Sequence, residues 1–365
     1  MKRKVLAMAM TLLMATGILA GCGGASGDDS DKKDAMNVGM VTDVGTIDDK
    51  SFNQGTWEGI LEAKKELGVK EKYLQPGGQT KADYLTEINN MYDADFKFIV
   101  APGYKFEQAI YEAQDKYTDA KFVLIDGSPN DGAEKDPKSK VGDNTVSIFY
   151  AEEQSGFLAG VAATVELKTG DLGFIGGLEI PPVQKFNWGF QQGVEYANKN
   201  LGAKVTLKKE NIKYSNSFED VALGQQIAAT MYDRGVKAIF ASAGKVGVGV
   251  ITEAKTRAKS GKDAWVIGVD VDQFEEGKYE GDKSVILTSA TKKIGKSAFD
   301  MVKSEQDGKF PGGETLTYDV KNDGVGIPET NPNLSDETIK TVNEVKEKMK
   351  SDEIKVSAEK GDLIA

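Results

Sequence analysis

The feature that most limits what this chain can fold into is an alternation of short, β-branched apolar runs with helix-like patterns. Runs at 36–43 (MNVGMVTD), 96–103 (FKFIVAPG), 120–127 (AKFVLIDG) and 144–151 (NTVSIFYA) are separated by stretches such as QGTWEGILEAKKELG and KFEQAIYEAQDKY. A second series lies at 172–177, 203–214, 236–244, 264–271 and 284–291, interleaved with FQQGVEYANKN and EDVALGQQIAATMYDRG. Strands that are apolar nearly throughout, rather than at every second residue, are covered on both faces, as in a parallel sheet flanked by helices. The stretch AEEQSGFLAGVAATVELKTG, at 151–170, breaks the alternation in two. The expected fold class is therefore α/β, with two doubly wound parallel-sheet lobes joined by a hinge. Residues 36–150 read as lobe 1 and 151–283 as lobe 2. Residues 284–345 read as returning strands and hinge crossings shared by both lobes, and 346–365 as a C-terminal tail.

In sheets of this kind, ligands bind beyond the carboxyl ends of the strands. Polar residues collect at those places: TDVGTIDDKSFN, APGYK, IDGSPN, IKYSNSF, ASAGKVG, GVDVDQ and TSATKK. The 365 residues contain no histidine and one cysteine. The commonest general base and the commonest zinc ligand are thus missing, and neither an internal disulfide nor a thiolate metal site can form. No catalytic residue, metal or cofactor is expected. The 57 acidic against 46 basic side chains argue against nucleic acid, whose phosphates are met by excess Lys and Arg. Neither GDLGFIGG nor SAGKVGVGV has the spacing of a phosphate-binding fingerprint.

The N-terminus carries Lys2, Arg3 and Lys4, then an apolar run from Val5 to Ala20 that is short for a membrane span. It ends in LAGC, which resembles the bacterial lipobox. Residues 1–21 read as a signal peptide, Cys22 as a lipidated residue, and 22–35 as a flexible tether to the membrane.

Two strand-to-helix junctions share a local pattern: DDKSFNQ places Phe52 at a helix start, and YSNSFED places Phe218 at another. A ring there is either a hydrophobic staple or, from two lobes at once, a clamp on a flat ligand. Asp43, Asp48, Asp49, Asn53 and Asp126 lie in loops within reach of such a ligand's edge, although an Asp there is also the usual helix cap. Asp270 or Asp272 is suited to accept from two vicinal hydroxyls, with Lys292 or Lys293 beside it; a structural Asp–Lys pair is the plainer reading. Gly244 lets backbone approach a ligand closely.

Taken together, the LAGC box, TDVGTIDDKSFNQGTWEG, GYKFEQAI, IDG, YSNSFED, ASAGKVGVGV, GVDVDQ and TSATKK resemble the basic membrane protein lipoprotein family, purine nucleoside receptor type. The resemblance spans about residues 36–325. It implies a type I periplasmic-binding-protein fold closing on a purine nucleoside, with the base stacked between Phe52 and Phe218. It assigns the base edge to Asp43, Asp49 and Asn53, with Asp126 nearby, and the ribose to Asp270 and Lys292. Phe186 reads as packing. A separate ABC permease and ATPase are implied as partners, and the extracytoplasmic face of the cell membrane as location. A sugar or small signal molecule is the alternative ligand, for which Trp57 and Trp188 would be expected in the cleft. A nucleoside-acting enzyme and an adhesin are the remaining readings.

Overall fold

The structure, a computed structural model, describes residues 35–364; the leader, Cys22 and the tether lie outside the described residues. The first sheet contains β1 (Asn37–Val41), β2 (Lys70–Leu74), β3 (Phe98–Pro102), β4 (Lys121–Ile125) and β5 (Thr145–Tyr150). The second contains β6 (Thr169–Gly176), β7 (Lys204–Tyr214), β8 (Val236–Ser242) and β9 (Trp265–Asp270). A small antiparallel hairpin, β10 (Lys278–Glu280) and β11 (Lys283–Ser284), precedes β12 (Ile286–Lys292), which joins the second sheet. The chain then returns to the first sheet as β13 (Thr315–Tyr318) and finishes on the second as β14 (Val325–Gly326).

The two sheets follow one plan, in orders β13-β5-β4-β3-β1-β2 and β14-β12-β9-β8-β6-β7. Every pairing is parallel except β12 with β14. In each sheet the strand order reverses beside the first strand, between β1 and β3 and between β6 and β8. That crevice is where doubly wound sheets take ligands.

The helices are α1 (Phe52–Leu67), α2 (Lys81–Asp93), α3 (Glu107–Lys116), α4 (Glu152–Leu167), α5 (Pro181–Asn200), α6 (Val221–Asp233), α7 (Lys245–Lys259), α8 (Ile294–Gln306) and α9 (Asp336–Lys350). Their ends are written locally. Thr80 and Asp83 cap α2 reciprocally, and the side chains of Asp220 and Ser335 cap α6 and α9.

Three segments cross between the lobes. Tyr150 leads through Ala151 into α4, which packs on α5, α9 and the second sheet. Lys292 leads through Lys293 into α8, which packs on α1 of the first lobe. The third crossing runs from β13 to β14. The second sheet thus runs past residue 283 through β12, and the tail boundary drawn at 346 falls inside α9.

The interruption at 151–170 is a core helix. Nearly every residue of α4 from Glu152 to Thr164 is buried. Buried all round, it has no polar face to set a 3.6-residue rhythm. It meets α5 backbone to backbone: a methyl built on Gly189 would stand 1.9 Å from the Glu153 carbonyl oxygen. Leu158, Val161, Phe186 and Phe190 fill the surrounding core.

Candidate functional site

The loop between β1 and α1 is organised by Asp49. Its carboxylate accepts from the backbone N–H groups of Ser51 (2.9 Å), Asn53 (2.9 Å) and Gln54 (3.1 Å), and from Asn53 Nδ2 (2.9 Å). This satisfies the free donors of the first helical turn, and it does so although burial raises the carboxyl's pKa. Ser51, directly before α1, makes no side-chain cap bond; its hydroxyl crosses to the other lobe and donates to Asp270 Oδ2. Asp48 is exposed, with Lys245 Nζ 3.6 Å away.

Asn53 is fully used within this network. Its amide nitrogen donates to Asp43 Oδ1 and to Asp49 Oδ2, both at 2.9 Å, and its oxygen accepts from the Asp43 N–H at 3.3 Å. Asp43 also accepts from the Gly45 N–H at 3.0 Å. Its second oxygen lies against Gly103, where a methyl would stand 2.7 Å away and where φ is +119°. A side chain at 103 would displace the carboxylate. Burial raises the Asp43 pKa, opposed by hydrogen bonds from Gly45 and Asn53.

Asp126 and Asp270 are counterparts, one from each lobe. Each follows or ends a central strand, and each has left-handed backbone, φ +57° and +65°. Asp is among the few residues that tolerate this conformation. Between them lies Lys292, the last residue of β12 and only 4% exposed. Its Nζ stands 2.6 Å from Asp126 Oδ2, 3.5 Å from Glu152 Oε1 and 3.7 Å from Asp270 Oδ1. The ammonium also faces the rings of Phe52 (4.8 Å), Tyr150 (5.1 Å) and Phe186 (5.6 Å), a favourable setting for a cation. Burial disfavours its charge, but the three carboxylates outweigh that and hold it protonated. Burial raises the Asp270 pKa, with Lys292 opposing. Asp126 Oδ1 is buried and has no hydrogen-bond partner among the described residues.

Phe218 is fixed by backbone. Its ring lies on Gly177, where a methyl would come within 2.2 Å of Cε1, and its carbonyl accepts from the Lys245 N–H at 2.8 Å. That second bond depends on Gly244, at φ +55°, immediately before α7.

All nine residues expected in a ligand site, Asp43, Asp49, Phe52, Asn53, Asp126, Phe218, Gly244, Asp270 and Lys292, line one cavity. Phe52 is at the start of α1 in lobe 1, and Phe218 lies in the loop before α6 in lobe 2. Phe186 is a core residue, edge-on to Phe240 at 5.8 Å, and its ring also reaches the cavity wall. Asp272 is exposed and accepts from the Phe274 N–H. Trp57 packs edge-on to Tyr73 at 5.3 Å, and neither it nor Trp188 is among the lining residues. Sequence reasoning missed Tyr104 and Ser242 on the wall, and behind it Glu152, Lys185 and Gln273. Gln273 holds the strand end through the Val269 N–H and crosses lobes to donate to the Lys50 carbonyl at 2.7 Å.

Two doubly wound lobes, three crossings and one cavity lined from both sides define a two-lobed solute receptor. Residues 36–360 match the family described as ABC transporter substrate-binding protein PnrA-like, and the chain belongs to that Bmp family of substrate-binding proteins. Among its relatives is the CD4+ T-cell-stimulating antigen of Listeria monocytogenes, 36% identical over 98% of this chain and 99% of that one. Another is the ABC transporter nucleoside-binding protein BmpA of Lactococcus lactis subsp. cremoris, 35% identical over 90% of this chain and 92% of the relative. A solved ABC-transporter solute-binding protein from Aeropyrum pernix superposes with a TM-score of 0.74 at 23% identity, covering 90% of this chain and 94% of the other.

Proposed function

We propose that the protein captures a purine nucleoside between its lobes and delivers it to an ABC permease driven by a separate ATPase. The chain would be held at the extracytoplasmic membrane face by lipid on Cys22. The observation that carries this reading is the pair Phe52 and Phe218, one from each lobe, on a single cavity that Asp43, Asp126 and Asp270 also line. Stacking a base on an aromatic ring is worth about 1–3 kcal/mol. Asp43 accepts from a ring N–H or exocyclic amine, with Asn53 and Asp49 behind it fixing its direction. Asp270 grips ribose hydroxyls, and Lys292 donates to the same sugar while holding Asp126. Contacts to both lobes stabilise the closed arrangement by hinge bending. A relative that bears the name ABC transporter nucleoside-binding protein BmpA supports the reading.

The test is thermal shift and calorimetry with nucleosides, free nucleobases and sugars. Purine nucleosides are expected to raise the melting temperature. Phe52→Ala and Phe218→Ala should each weaken affinity by about 5- to 150-fold, the equivalent of 1–3 kcal/mol. A shift with sugars and none with nucleosides would overturn the assignment, as would conversion of the nucleoside to products.

A further inference from the structure

Glu152 is 2% exposed and opens α4 directly after the first crossing, one layer behind the cavity wall. Its two oxygens face two cations: Oε1 lies 3.5 Å from Lys292 Nζ of β12, and Oε2 lies 3.5 Å from Lys185 Nζ of α5. Tyr150 of β5 and Asp126, beyond β4, face it from lobe 1; Glu153 is its neighbour on α4, and Asp319 acts on Glu153 from the third crossing. Three buried carboxylates therefore share Lys292, with Lys185 as the second cation. Lys292 donates to Asp126 at 2.6 Å and to Glu152 at the longer distance of 3.5 Å. Glu152, Asp270, Lys185 and Lys292 all belong to lobe 2, whereas Asp126 belongs to lobe 1.

From this arrangement we infer that Glu152 is a further determinant of ligand affinity, a positioning residue that acts through Lys292 and takes up a proton as the lobes close. In an open form, Glu152 and Asp270 hold the Lys292 ammonium from its own lobe. Closing brings Asp126 onto that ammonium and excludes water, so Glu152 faces an added negative charge in a drier setting. Both effects favour its neutral form. Burial pushes its carboxyl up to about 7, with Asp126 adding to the rise and Lys292 and Lys185 opposing it. Protonation also frees an N–H of Lys292, leaving it available to a sugar hydroxyl beside Asp270. A ligand that favours closure is then bound together with a proton, and affinity falls as pH rises through neutrality.

This inference rests on the nucleoside reading for its ligand, and the experiment separates the two. Calorimetry on the full mature chain uses whichever of inosine, adenosine and guanosine binds most tightly, from pH 6 to 8.5, in buffers of differing ionisation enthalpy. Wild type should lose about fivefold in affinity across that range, as a one-unit rise of the Glu152 carboxyl to about 7 on closing gives, with net proton uptake near pH 7. Glu152→Gln should lose both the slope and the uptake, and Glu152→Asp should restore part of each. A flat wild-type profile, or an unchanged slope in Glu152→Gln, overturns the inference. A ligand-free arm compares melting curves. A carboxyl raised in the folded state costs stability as pH climbs above its unfolded value. Glu152→Gln should therefore gain melting temperature over wild type at pH 8 relative to pH 5. Parallel curves would also overturn the inference. If no nucleoside binds at any pH, the functional reading fails while the melting curves still decide this one.

Discussion

Replacing Lys292 by Met isolates the electrostatics of the hinge. Methionine keeps an unbranched chain of similar reach against Phe52, Tyr150 and Phe186, whose ring faces accept a thioether. What is lost is the ammonium serving Asp126, Glu152 and Asp270; Lys185 still faces Glu152, while Asp126 and Asp270 lose their ion-pair partner. Removing one partner of a buried ion pair costs about 3–5 kcal/mol, because the other is left charged and unpaired. The folded variant relieves this by binding one proton more than wild type, on Asp270, whose carboxyl burial raises and Lys292 no longer holds down. One extra bound proton makes the penalty change by about 1.4 kcal/mol per pH unit. A loss of about 4 kcal/mol at pH 8 should shrink to about 1 kcal/mol or less at pH 5. The direction follows from the raised pKa of Asp270 and Glu152: groups of this kind lower stability as pH rises and cease to do so once protonated. Urea unfolding followed by fluorescence at pH 5, 6, 7 and 8 measures it. A loss of equal size at pH 5 and pH 8 would mean that packing, not uncompensated charge, is what Lys292 supplies.

Asp49→Ala should cost about 1–2 kcal/mol of stability by removing the cap of α1, whereas the exposed Asp48→Ala should stay within about 0.5 kcal/mol; equal effects in urea unfolding would contradict the capping geometry. Gln273→Ala removes the cross-lobe bond to the Lys50 carbonyl and is expected to widen the angular distribution of the lobes. Small-angle scattering would register a larger radius of gyration, and an unchanged profile would show that the bond does not restrain the hinge.

The alternation of buried strands and amphipathic helices was readable because strands such as β3 are buried at every residue. β2 was not, since KEKYL lies at a sheet edge, partly in water, and lacks a continuous apolar run. α4 was read as a break for the opposite reason, being apolar on every side. At the site, the junctions pointed to the loops that line the cavity but not always to the residue. Asp270 and Asp272 look alike in GVDVDQ, yet one ends β9 in the cavity and the other closes an exposed turn. Lys292 is the last residue of β12 and Lys293 the first beyond it; the sequence left that choice open, and the structure puts Lys292 on the cavity wall. Glu152 was invisible because an acid in the first turn of a helix is expected everywhere; only the fold brings it to Lys292 from 140 positions away.

The late return of β13 to β5 means that neither half of the gene encodes a complete half of the molecule. Grafting one half from a cousin would require cuts at all three crossings, not one. During synthesis, the flank of β5 would stay uncovered until residues 315–318 have emerged.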